Sequence, residues 1–204
     1  MTITLKHDPY NLIITGVGGQ GNVMTSRSVG HMLSFLGLNV TIGETFGASQ
    51  RGGSVMSHLR ISARSSWSPQ IPLGQAHMVV SMEPSETLRV LKDYGNADVK
   101  VISNIRPLYP VGVISGQLGY PSERDIRTWM DELSGENWLF NATDKALEIG
   151  PPVLGNVIMA GALAATNELP LTREVFETIM SATYKGDKLA MNLAAFDAGV
   201  SLVA

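Results

Sequence analysis

The stretch GETFGASQRGGSVMSHLRIS, running from Gly43 to Ser62, places polar and glycine-rich backbone between two apolar segments. It offers a carboxylate at Glu44, neutral hydrogen-bonding groups at Ser49 and Gln50, a guanidinium at Arg51, and then Gly52 and Gly53. A guanidinium can grip a phosphate or a partner carboxylate through two parallel hydrogen bonds. Glycines let the adjacent backbone approach a ligand with no Cβ in the way. Ordering such a loop costs conformational entropy, so a ligand or partner is the expected compensation. The plainer alternative is that Glu44, Gln50 and Arg51 form an internal polar staple.

A second glycine turn, GVGGQG, contributes Gly16, Gly18, Gly19, Gln20 and Gly21. It follows a strand-like run and precedes a helix-like one. There the unpaired N–H groups and dipole of a first helical turn favour an anion. No Gly-Lys-Ser/Thr follows, so this is not a Walker loop. The spacing also suits a tight strand-to-helix turn needing glycine only for close packing. In dinucleotide-binding folds an acidic residue about 20 positions beyond the turn holds a ribose, and Glu44 stands near that place. An NAD(P)- or FAD-dependent oxidoreductase is therefore a rival reading. Against it, the chain has no Tyr-x-x-x-Lys pair, and its histidines suggest no hydride-transfer partner.

These turns need elements to hold them. YNLIIT (Tyr10–Thr15), LNVTI, SVMSHLRI, HMVVSM, VKVISN and NWLFN read as strands. Asn22–Leu36 has helical apolar spacing and is stopped by Gly37. SETLRVLKDY reads as a helix capped by Ser85. Ser122–Leu133 reads as one capped by Ser122, and a short helix toward Glu148 as capped by Thr143. Ser62–Gln75 is a loop broken by Pro69 and Pro72, and YPVGVIS is ambiguous. From residue 152 to 204 the chain turns helical, with Thr172 marking one start. In that tail Gly155, Ala160, Gly161, Ala162, Ala164 and Ala165 permit close helix packing, and Asn156 reads as a satisfied cap-region residue. Strands alternating with helices predict an α/β fold: a three-layer α/β/α sandwich with a largely parallel sheet and a helical C-terminal segment, all one domain over 1–204. Glu83–Pro84, Asn104 and Arg106 follow strands at ends where ligands collect in open α/β sheets. Arg27 and Arg60 are weaker candidates, and Arg60 reads as a solvated strand residue.

Composition narrows the function classes. The 204 residues are 44% hydrophobic and 16% charged, as expected of a packed globular chain. A net charge of −3 leaves no basic footprint for nucleic acid or a membrane surface. The longest apolar run, Val153–Ala165, is too short and too polar to span a bilayer. The N-terminal MTITLKHDPY lacks a signal-peptide core, so a cytoplasmic location is expected. The absence of cysteine excludes disulfides, thiolate nucleophiles and cysteine-ligated clusters held by this chain. His7, His31, His58 and His77 show no metal-ligand spacing, so no metal site is expected.

GVGGQG taken together with ETFGASQRGGSVMSHLRIS resembles the gamma-type domain of 2-oxoacid:ferredoxin oxidoreductases. The likeness is greatest to the small subunit of the indolepyruvate type. It continues through SMEPSETLR, GNVIMAGALAA with LPLT, and the terminal NLAAFDAG, about Leu12 to Gly199. The resemblance implies an enzyme complex that oxidatively decarboxylates a 2-oxoacid to an acyl-CoA and passes electrons to ferredoxin. Thiamine diphosphate and the iron–sulfur clusters would sit in partner subunits, with no catalytic residue in this chain alone. This chain would help to bind coenzyme A at a site shared with the partner, and to assemble the complex. The expected cofactor-binding set is Gly16, Gly18, Gly19, Gln20, Gly21, Glu44, Ser49, Gln50, Arg51, Gly52 and Gly53. Indolepyruvate or another aryl pyruvate, 2-oxoglutarate and pyruvate all stay open as substrates. So do a homodimer of the isolated chain and an assembly module that touches no cofactor.

Overall fold

The computed structural model describes residues 3–47 and 52–204. Strands β1 (Tyr10–Val17), β2 (Asn39–Phe46), β3 (Ser54–Ser62), β4 (Met78–Ser81), β5 (Lys100–Asn104) and β6 (Glu136–Phe140) form one sheet in the order β2-β3-β1-β4-β5-β6. β1, β4, β5 and β6 run parallel, while β3 lies antiparallel between β2 and β1. The sheet is thus mixed, and β2 and β3 pair as antiparallel neighbours at one side. β1 is buried along its whole length. A strand covered on both faces needs apolar residues on both, and Leu12 and Ile14 point to one face while Ile13 points to the other.

Helices α1 (Asn22–Phe35), α2 (Pro84–Tyr94), α3 (Val111–Ile114), α4 (Glu123–Leu133), α5 (Ala142–Ile149), α6 (Gly155–Ala165), α7 (Arg173–Thr183) and α8 (Gly186–Ser201) complete the fold. A single 3-10 turn, Pro152–Leu154, leads into α6. α1, α6, α7 and α8 build the larger apolar layer on one face of the sheet. α2 and α4 cover the other face through Val90, Leu91, Ile126 and Met130. The helices beyond residue 152 therefore share the core of the sheet. α6 is apolar nearly all round because it is enclosed. Gly161 lies against the Phe196 carbonyl and Gly199 against the Ile158 carbonyl, so a side chain at either would drive α6 and α8 apart.

Two expected caps move. Pro84 occupies the first turn of α2, so the cap is Glu83 rather than Ser85, and its side chain accepts from Glu86 N–H. For α5 the cap is Asn141 rather than Thr143, accepting from Asp144 N–H. Ser122 and Thr172 cap α4 and α7 as expected. The ambiguous YPVGVIS contains the short helix α3.

Candidate functional site

In an open α/β sheet, ligands bind beyond the carboxyl ends of the strands where the connection changes direction. Here the chain leaves β1 toward β3 and β2 on one side, and returns to β4 on the other. The GVGGQG turn stands at that switch point. Gly18 N–H donates to Gly53 O at 2.8 Å, and Gly52 N–H donates to Gly18 O at 3.4 Å. The two glycine turns, distant in sequence, are thus bridged by backbone at one rim. Ser49, Gln50 and Arg51 lie outside the described residues.

Gln20 closes the first turn. Its Oε1 accepts from Val17 N–H at 2.8 Å, and its Nε2 donates to Met82 O at 3.0 Å. Gly21 caps α1 with a φ of 88°, and no side-chain cap hydrogen bond is made there among the described residues. A Cβ on Gly21 would collide with the Asn156 amide. Asn22 holds the turn from beneath, donating to Val17 O at 2.9 Å, while its Oδ1 is buried with no hydrogen-bond partner among the described residues.

A cleft of about 440 Å³ opens beside this turn, lined by Gly19, Gln20, Asn104, Arg106, Thr143 and Asn156 among others. Asn104 is fixed by donating to Met82 O and Thr143 Oγ1, each at 3.0 Å, and by accepting from Ala142 N–H at 3.0 Å. Arg106 is half exposed and pairs with Asp144 at 3.1 Å. A second, apolar cavity of about 320 Å³ adjoins it across Val153 and Asn156, walled by Met24, Phe176, Met180 and Met191.

Glu83 is fully buried behind the rim. Its carboxylate accepts from Glu86 N–H at 3.0 Å, Ser85 Oγ at 2.6 Å, Leu108 N–H at 3.4 Å and the Tyr120 hydroxyl. Burial, then the Glu83 carboxylate, pushes the Tyr120 phenol well above its ordinary range. Glu83 thereby ties both ends of the 108–120 excursion to α2. That excursion exposes Leu108, Tyr109, Val111, Ile114 and Leu118.

The predicted residues do not all meet. Gly19 and Gln20 line the cleft, as do the weaker candidates Asn104 and Arg106. Gly16, Gly18, Gly21, Gly52 and Gly53 shape the turns behind it. Glu44 lies outside the cleft lining and faces Arg27 at 3.7 Å among the described residues. Arg60 is not solvated: it is 8% exposed, at the opposite end of the sheet. Asn156 is more than a cap-region residue, since it divides the cleft from the apolar cavity. Its position one residue into a helix that follows Pro-Pro is the only sequence signal, and it says nothing of what the side chain faces.

The result is a mixed sheet covered by helices on both faces, with its first glycine turn bridged to Gly52 and Gly53. The chain belongs to the pyruvate ferredoxin/flavodoxin oxidoreductase family, which matches residues 11–202. It is 35% identical over 192 residues to the indolepyruvate oxidoreductase subunit IorB of Pyrococcus horikoshii, covering 94% of each chain. The corresponding subunit of Methanothermobacter thermautotrophicus is 33% identical over 195 residues, covering 96% of this chain and 98% of that one. Solved structures agree on the fold. Pyruvate oxidoreductase subunit PORC from Thermotoga maritima gives a TM-score of 0.68 at 17% identity, covering 96% and 97% of the two chains. The 2-oxoglutarate:ferredoxin oxidoreductase of Magnetococcus marinus, solved with 2-oxoglutarate, coenzyme A and succinyl-CoA, gives 0.74 at 19% identity, over 97% of this chain and 31% of that longer one.

Proposed function

We propose that this chain is the small, gamma-type subunit of a 2-oxoacid:ferredoxin oxidoreductase, working in the cytoplasm and acting on an aryl pyruvate such as indolepyruvate. Its relatives' names support the substrate class. Its part in the reaction is to hold coenzyme A at a site shared with the catalytic partner, and to dock that partner. The observation that carries this reading is the backbone bridge between Gly18 and the Gly52–Gly53 turn, set beside an open cleft of mixed polar and apolar lining at the switch point. The bridge fixes the turn that leads into α1, and the N–H groups at the start of a helix favour a phosphate. Arg51 precedes Gly52 in sequence and would supply a charge-assisted contact. Gln20 and the glycines Gly16, Gly18, Gly19, Gly21, Gly52 and Gly53 keep the backbone close to the ligand. Ser49 and Gln50 would meet its amide groups, and Glu44 keeps β2 in place through Arg27.

Thiamine diphosphate and the iron–sulfur clusters belong to the partner. A chain without cysteine has no thiolate to hold a cluster. The 108–120 excursion borders the cleft through Leu108, and its exposed apolar side chains suit a protein contact. The partner would cover it and close the cleft together.

The test uses the reconstituted complex. Mixing this chain with its thiamine- and cluster-bearing partner should give 2-oxoacid-dependent reduction of a dye, and neither part alone should do so. Coenzyme A titrated into the Arg51→Ala complex should bind about ten- to a hundredfold more weakly, as expected for one lost charge-assisted contact. Unchanged affinity in a correctly assembled complex would remove coenzyme A from this chain and leave assembly as its role.

A further inference from the structure

At the end of the sheet away from the cleft, Asn11 on β1 stands directly opposite Arg60 on β3. His77 enters β4 on the other side of Asn11, and its Nδ1 accepts from Asn11 N–H at 2.9 Å. Arg60, Asn11 and His77 therefore lie side by side across three neighbouring strands. They line a groove of about 310 Å³ with His7, Asp8 and Gln75.

The hydrogen bonding of this row is incomplete in a specific way. Arg60 is buried, and its Nη1 donates to Ser68 O at 3.4 Å and Gln70 O at 3.1 Å. Its guanidinium sits 5.1 Å from the Trp67 ring centroid. Those partners are neutral, and Arg60 takes part in no ion pair among the described residues. Its Nε is buried and unbonded among them. A buried cation without an anion is costly, and burial accordingly lowers the Arg60 pKa. Asn11, 5% exposed, gives its Nδ2 to Gln75 O at 2.7 Å, and its Oδ1 is buried without a partner among the described residues. Because His77 Nδ1 is an acceptor, the neutral ring carries its proton on Nε2 as a further donor. The one carboxylate in the groove, Asp8, is turned to Ala63 N–H at 3.3 Å and Arg64 at 3.6 Å.

We propose that this groove is a binding site for a small oxyanion that still carries a hydroxyl, hydrogenphosphate or hydrogencarbonate. The guanidinium supplies charge and N–H groups, His77 Nε2 a neutral donor, and Asn11 Oδ1 accepts the anion's own O–H. That last contact selects against oxyanions with no proton. Sulfate has none at neutral pH, and a phosphomonoester, with a second pKa near about 6, has mostly lost it by pH 7.5. The site does not rest on the coenzyme A reading, since it lies at the far rim.

The experiment is calorimetry and His77 ring NMR on the full chain at pH 7.5, titrating inorganic phosphate, hydrogencarbonate, sulfate and methyl phosphate separately. Saturable binding of phosphate or hydrogencarbonate, with the His77 resonances shifting, is expected, and the tighter of the two identifies the ligand. Sulfate and methyl phosphate should bind about tenfold or more weakly, the worth of one hydrogen bond to a charged group. Asn11→Asp places a carboxylate beside Arg60 and should abolish binding of both hydroxylated anions without loss of the fold. Arg60→Met should also abolish it. If loss of the 68–70 loop contacts unfolds that variant, Asn11→Asp decides the matter. Equal affinity for phosphate and sulfate, no saturable binding of either hydroxylated anion, or an unchanged response in Asn11→Asp overturns the proposal.

Discussion

The two ends of the sheet are built from different materials. At the carboxyl end the important groups are backbone: glycine turns, strand-end carbonyls and the uncapped start of α1. At the opposite end they are side chains. Tyr10 donates to Glu168 at 3.4 Å, Glu168 also pairs with Lys6 at 2.7 Å and Lys100 at 3.0 Å, and His7 stacks on His77 at 4.0 Å. The first rim is intolerant of added atoms at Gly16 and Gly21, where a Cβ has nowhere to go. The second is intolerant of unbalanced charge, because its ionisable groups are partly shut away from water. Each rim can be broken by the change that suits it.

The largest effect belongs to the backbone rim. Gly21→Val forces a β-branched residue into a left-handed conformation and drives its side chain into Asn156. Strain and overpacking together should cost about 3–5 kcal/mol. Urea denaturation should show the loss, and reconstituted complex containing the variant should fail to bind coenzyme A. A stability within about 1 kcal/mol of the parent would mean the turn relaxes easily, which is less than the strain term alone.

The side-chain rim should respond to pH. Burial, then the charge of neighbouring His7, lowers His77 to about 4, with Glu168 opposing and Arg60 assisting. In the unfolded chain the ring titrates near 6.5. Between those values the unfolded state binds the extra proton. The stabilisation is therefore complete above about pH 6.5 and is lost as pH falls toward 4, by up to about 3 kcal/mol. Denaturation midpoints from pH 7.5 to 4.5 should fall in the parent and fall less steeply in His77→Asn, where the remaining slope belongs to His58, whose ring burial also lowers. Glu168 acts lower. Burial pushes its carboxyl up, but the bonds and charges of Lys6 and Lys100 outweigh it and hold it below the ordinary value. Its contribution is lost only as pH falls below about 4.5. A midpoint that is flat in the parent would show that the His77 ring stays hydrated.

The same contrast explains what the sequence shows and what it conceals. The GVGGQG turn and the Gly52–Gly53 turn are readable because backbone geometry forces residue identity at each position. Their convergence follows once the sheet is expected to be largely parallel. Most strands and helices are readable from periodicity; the exceptions are α3, inside the ambiguous YPVGVIS, and the caps, where Pro84 moves the start of α2 onto Glu83. The far rim is not readable. Lys6 meets Glu168 across 162 positions, and Arg60 alternates with Leu59 and Ile61 like any surface strand residue. Only the covering 62–75 loop buries it, and nothing in the residue types announces that a loop will fold back. Glu83 was visible as a strand-end acid, but its grip on Tyr120 joins elements that local pattern does not connect.

The smallest expected effect separates framework from binding at the first rim. Arg27 and Glu44 face each other at 3.7 Å, with the arginine side chain 66% exposed. An exposed pair at that distance contributes little, so Arg27→Ala should cost less than about 0.5 kcal/mol. Glu44→Ala should behave alike and leave coenzyme A affinity in the complex within about twofold, because one surface pair is worth no more than that. A dinucleotide enzyme demands otherwise: there the acidic residue holds a ribose, and its removal weakens the cofactor while leaving stability alone. The two variants measured together are therefore informative even though both changes are small. Matched, minor losses of stability with unchanged ligand affinity make the pair a brace for β2 beside the glycine turn. Nicotinamide binding that disappears in Glu44→Ala but survives in Arg27→Ala would return the carboxylate to ligand recognition and give the glycine turn a different partner.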